Sequence, residues 1–182
     1  MSTHRWTAAI LGALFLAHIA AADDDESRSK RGRGADVAPV ADARYAKECG
    51  GCHFAYQPGL LPARSWQKLM DSLSDHFGDN AELSKEDAAA IAEYLTANAA
   101  DRVDYKRSVK IVKALSDQET PVRISAMPYM VRKHDHIPAR FVAENWRVKT
   151  LGNCPACHRR ADTGSYGEHE IKIPGYPRWE ED

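Results

Sequence analysis

Two five-residue motifs constrain this chain more than any other feature: Cys49-Gly50-Gly51-Cys52-His53 and Cys154-Pro155-Ala156-Cys157-His158. They contain all four cysteines of the 182-residue sequence. A thiol pair followed directly by histidine is the spacing needed to attach a c-type haem. The thiols add across the two vinyl groups, and the adjacent imidazole lies under the iron. A redox-active Cys-x-x-Cys has no need of that histidine. Histidine occurs only 8 times in the chain, so composition does not explain its place after both pairs. A four-cysteine zinc ribbon separates its pairs by about 15–20 residues, whereas roughly 100 lie between Cys52 and Cys154. The motifs predict two c-type haems, attached at Cys49 and Cys52 and at Cys154 and Cys157, with His53 and His158 as proximal iron ligands.

The start of the chain reads as an address. Met1 to Arg5 carries a positive charge, Trp6 to Ile19 is apolar apart from Thr7 and His18, and Ala20-Ala21-Ala22 precedes Asp23-Asp24-Asp25-Glu26. A basic start, a short apolar run and small residues before the cut form a signal peptide over 1–22. The run is shorter than the about 20 residues that span a bilayer, so the mature chain is expected to be periplasmic, with no integral membrane span. An uncleaved amphipathic anchor is the competing reading. In an oxidising compartment paired cysteines become disulfides, metal ligands or attachment points; two disulfides are the plainer alternative to haem. Residues 23–41 mix charge with Gly32, Gly34 and Pro39 and predict a disordered charged leader. Residues 42–182 then form one domain, in lobes of roughly 42–104 and 105–182. A net charge of −1 gives no basic field for nucleic acid, and 43% apolar against 28% charged residues excludes a wholly disordered chain.

Apolar periodicity predicts a mostly α fold with no convincing strand. Helices are expected over 41–48 and over 65–77, the latter with Trp66, Leu69, Met70, Leu73 and Phe77 on one face. A third starts at Ser84, whose side chain can cap it ahead of Glu86 and Asp87. Further helices are expected over 105–115 and 125–136, with Pro128 tolerated near the start of the second. Phe141, Val142 and Trp146 suggest one more helical turn, and Ile171 and Ile173 a packing pair in the tail.

Each iron needs something on its other face. For the first, His76 stands at the edge of the apolar face of the 65–77 helix, with Met70 as rival. For the second, about 100° per residue puts Met127, Met130, Val131, His134 and Ile137 on one inward face and turns His136 away. His134 is therefore the first candidate, with His136, Met127, Met130 and His169 as rivals. Paired histidines leave no open iron position and imply lower potentials than histidine–methionine ligation.

Residues 42 to about 98 resemble a small class I cytochrome c, with Tyr45 and Tyr94 where its helices would cross, but with His76 where a methionine ligand is expected. Across the chain, Cys49–His53, Gly59–Trp66, Asp75–Gly78, Val131–His134, Ile137-Pro138 and Cys154–His158 resemble the bacterial dihaem cytochrome c family known as DHC. That resemblance implies a compact dihaem domain with an irregular C-terminal lobe and bis-histidine ligation through His53, His76, His134 and His158. It also implies electron transfer without catalysis, and redox partners that include a membrane cytochrome b and a small oxygen-binding cytochrome c. The competing functions are the electron-carrier subunit of a reductase complex, and a dihaem peroxidase or nitrogen-oxide reductase with a displaceable ligand.

Overall fold

The structure is a computed structural model and describes residues 34–176 of the chain. The predicted signal peptide and residues 23–33 of the predicted leader lie outside the described residues. Among the described residues six α-helices carry the fold: α1 (Ala43–Gly50), α2 (Ala63–Met70), α3 (Lys85–Ala97), α4 (Lys106–Lys113), α5 (Pro128–His134) and α6 (Cys154–Cys157). Single 3-10 turns link them, among them Pro58–Leu60 and Leu73–Asp75. Among the described residues there are only isolated β-bridges, at His76–Asp79, His158–Ile171 and Ile173–Tyr176. The fold is mostly α, as the periodicity predicts.

Local chemistry explains where the helices begin. The Asp42 carboxylate accepts from Tyr45 N–H at 2.7 Å and caps α1. Ser84 Oγ accepts from Asp87 N–H at 3.1 Å and caps α3, with Glu86 and Asp87 against its positive end. Pro128 occupies the first turn of α5, where a missing N–H costs nothing.

The expected helix over 65–77 is the main departure. α2 stops at Met70, because Ser72 Oγ turns back and donates to the Lys68 and Leu69 carbonyls at 3.0 and 3.2 Å. The apolar spacing continues past this stop only by coincidence. Phe77 is 44% exposed and does not share the buried face of Trp66 and Leu69. His76 instead opens a tight turn. Its N–H donates to Asp79 O at 2.7 Å, while Phe77 at φ 60° and Gly78 at φ 103° form the corner. The Asp75 carboxylate accepts from Gly78 N–H at 3.0 Å and locks it.

Three smaller differences have similar causes. Trp146 is 73% exposed, and only Ala139–Phe141 is helical in its neighbourhood. Val131 is exposed although Met127 on the same predicted face is fully buried, since α5 is too short to bury a full stripe. Folded structure also begins before residue 42. Asp36 and Val37 N–H groups donate to Gly164 O at 2.8 and 3.1 Å, and Val37 is completely buried.

The core is continuous across the predicted lobes. Tyr45, Leu61, Trp66, Ile91 and Leu95 share it with Ile111, Met127, Tyr129 and Tyr166. α2 packs on α3, and α4 packs on the Pro58–Leu60 turn, where Ser108 Oγ donates to Gly59 O at 2.8 Å. The Tyr45 and Tyr94 rings meet at 5.7 Å, where the sequence placed a helix crossing. This core fixes both Cys-x-x-Cys-His segments against the same scaffold.

Candidate metal centres

The first motif ends α1 and the second forms α6. No disulfide joins the four cysteines. Among the described residues no three His, Cys, Asp or Glu side chains converge in a way that could hold a bare metal ion, so the cysteines do not meet at one zinc. Burial pushes the Cys49 and Cys154 thiols up to about 11 and raises Cys157 as well. A thiol held protonated at neutral pH is a poor redox nucleophile.

The histidines fall into two facing pairs. His53 and His76 have ring centroids 6.1 Å apart with planes 18° from parallel. His134 and His158 have centroids 6.2 Å apart with planes at 84°. The first pair joins the motif to the His76–Asp79 turn, and the second joins it to the last residue of α5. The second pair shares one deep, mostly apolar cavity with Cys154, Cys157 and Met130. Cys52 and His53 at the first pair are exposed.

The spacing fits a metal shared within each pair. With metal–imidazole bonds of about 2.0–2.1 Å on each side, two rings facing each other across one metal have centroids roughly 6 Å apart. In direct contact they would lie closer. The ring nitrogens are also prepared for a metal. His53 Nδ1 pairs with Phe54 O at 2.8 Å and His134 Nδ1 with Met130 O at 2.7 Å. Each carbonyl fixes the N–H on Nδ1 and leaves the Nε2 lone pair available. His76 Nδ1 and His158 Nδ1 are buried without a partner. Burial, with His53 adding, lowers the His76 pKa. Burial, then His134 and Arg107, pushes His158 down to about 4. Both are neutral at pH 7, the form that ligates a metal. Arg107 Nε is another buried donor without a partner beside the second cavity, the kind of group that takes up a carboxylate. The donor set fits a metal carried by an organic frame with acidic side groups.

The rival ligands are buried in the core, otherwise engaged or exposed. Met127 is fully buried in the core, and Met70 packs against that core from its edge. Met130 lines the second cavity while its carbonyl orients His134. His136 reaches the cavity rim but pairs with Asp135 at 3.6 Å. The His169 side chain is 86% exposed.

Several neighbours of the pairs carry no motif in the sequence. Tyr56 lies with its ring 5.3 Å from that of His53, and Tyr166 with its ring 5.2 Å from that of His158. Burial pushes the Tyr56 phenol up to about 12. Fully buried Gln57 donates to Ala161 O and accepts from Tyr166 Oη at 2.6 Å. Only the short distances of Tyr56 from His53 and of Tyr166 from His158 along the chain could have hinted at these roles.

The family model described as dihaem cytochrome c (DHC) matches residues 45–166. A crystal structure of a dihaem cytochrome type c from Shewanella baltica OS155 is 38% identical, with a TM-score of 0.63 over 76% of this chain and 97% of that one. A dihaem cytochrome c from Rhodobacter sphaeroides is 40% identical, with a TM-score of 0.64 over 71% of this chain and 100% of that one. No curated protein sequence matches.

Proposed function

Since the chain belongs to the dihaem cytochrome c family and is an electron-transfer protein with two c-type haems, we propose that it is a periplasmic carrier whose irons are each held between two histidines. Cys49 and Cys52 are the attachment points at the first site, with His53 and His76 as ligands. Cys154 and Cys157 serve the second, with His158 and His134. The observation that carries this reading is the ring spacing of 6.1 and 6.2 Å within the two pairs. Bound there, each iron supplies a one-electron ferric–ferrous couple. The side chains supply position. Phe54 O and Met130 O orient two imidazoles, the His76–Asp79 turn presents a third, and the apolar walls of the second cavity exclude water. With four imidazoles in place, neither iron offers a vacant position to oxygen or a substrate, which favours electron transfer over chemistry at the metal. Without a methionine ligand, both potentials lie below those of histidine–methionine cytochromes. A membrane cytochrome b and a small oxygen-binding cytochrome c are the proposed redox partners, by resemblance.

The test is an absorption spectrum of the purified protein, oxidised and reduced, with and without carbon monoxide, alongside haem quantitation. Two low-spin haems per chain and no response to carbon monoxide are expected. His76→Ala and His134→Ala should each keep both haems, held by the thioethers and the proximal histidine, and gain one carbon monoxide site. Carbon monoxide binding by the unaltered protein would overturn the proposal. So would a silent His134→Ala beside a responsive His136→Ala.

A further inference from the structure

We propose that Tyr56 is the positioning residue that couples the two metal centres electronically: its ring packs on His53 of one, and its hydroxyl is bonded to the backbone that holds Cys154 of the other. The inference rests on the reading of both centres as haem sites.

The contacts form an unbroken chain. Tyr56 lies three residues past His53, and the two rings tilt by 36° at 5.3 Å. The Tyr56 hydroxyl donates to Gly152 O at 2.7 Å, across 96 positions of sequence. That carbonyl also accepts from Cys154 N–H at 3.0 Å and lies 3.6 Å from Cys154 Sγ. The segment is held in place. Phe54 meets the Tyr56 ring edge-on at 5.6 Å, and Tyr45 Oη donates to Tyr56 O at 2.7 Å. Tyr56 also lines the cavity shared by His134 and His158. One side chain thus touches a proposed iron ligand at one centre and the anchor of an attachment sulfur at the other.

Electronic coupling decays more slowly through bonds and hydrogen bonds than across gaps. A ring contact, one hydrogen bond and a short run of backbone make a better conductor than the same distance of loose packing. The step itself is simple. With iron held at both centres, one electron would pass from ferrous iron at one to ferric iron at the other. Tyr56 is neither oxidised nor deprotonated, and no bond is made or broken.

The nearby Ser108 supplies the control. It ties the Pro58–Leu60 turn, just past Tyr56, to α4 through a buried hydrogen bond, and it lines neither histidine pair. A variant that only loosens this junction can therefore be separated from one that cuts the route.

The experiment measures electron exchange between the haems in the half-reduced holoprotein, by pulse radiolysis or exchange broadening of haem resonances. Redox titration of each variant fixes the driving force. Tyr56→Phe keeps the ring and should slow exchange severalfold; Tyr56→Leu should slow it at least as much. Gly152→Ala gives an independent variant, since its Cβ would lie 3.2 Å from the Tyr56 hydroxyl, shift it by a few tenths of an ångström and weaken its bond to the carbonyl. Ser108→Ala should exchange at the unaltered rate. The proposal is overturned if Tyr56→Phe and Gly152→Ala both exchange at the unaltered rate, or if Ser108→Ala slows exchange as much as Tyr56→Phe. An unaltered chain with fewer than two low-spin haems would overturn the underlying haem reading instead.

Discussion

Gly164 shows how much of the junction rests on single residues. It sits at φ 74°, and a Cβ there would lie 2.1 Å from Val37 O, a backbone atom that cannot swing aside. Gly164→Ala should therefore cost more than the roughly 1–2 kcal/mol of a left-handed conformation alone. Gly34, with nothing near its missing Cβ, should tolerate alanine; denaturant unfolding of both variants measures the contrast. The neighbouring Asp36 gives this clasp a pH dependence. Burial alone would raise its carboxyl, but Tyr166 N–H at 2.8 Å and Arg107 at 3.1 Å outweigh burial and hold it below its ordinary value. A lowered folded pKa contributes stability that is present above the unfolded carboxylate pKa of about 4 and is lost as pH falls through the folded value. Asp36→Asn should therefore lose stability at neutral pH and show a shallower decline on acidification, read from unfolding midpoints across the acid range.

At the scale of elements, caps decide boundaries. Ser84→Ala removes the only side-chain cap of α3 and should cost about 1 kcal/mol by denaturant unfolding. That helix was legible in the sequence, because a cap, two acidic residues and the Ile91–Leu95 stripe are local signals. The end of α2 was not. Leu73 and Phe77 continue its period, and only the Ser72 side chain returning to the Lys68 and Leu69 carbonyls stops it. His76 does lie facing His53, but the expected element differs, since a turn and not a helix presents it. His134 faces His158 from the end of α5, although Val131, expected on the same face, is exposed. For Tyr56 the sequence offered only its nearness to His53. Its hydroxyl bonds to Gly152 from the far end of the sequence, and no periodicity carries information over that separation.

The whole molecule has one core, although its two motifs lie at opposite ends of the described chain. Ile111 is fully buried in that core, and Ile111→Ala should cost about 2–5 kcal/mol. Because residues from both halves share it, the two centres should lose their low-spin spectra in a single unfolding transition. Two transitions would mean independent lobes. The core also holds the two histidine pairs in different attitudes, nearly parallel at 18° in one and nearly perpendicular at 84° in the other. The angle between two axial imidazole planes governs how far the d orbitals of a low-spin ferric iron split. Parallel planes separate them and give a rhombic magnetic resonance spectrum with three resolved features. Crossed planes leave two orbitals almost equal in energy and give one strongly anisotropic line at low field. With the proposed histidine ligands, each iron would carry its own magnetic label, so in a half-reduced sample the location of the single electron could be read directly.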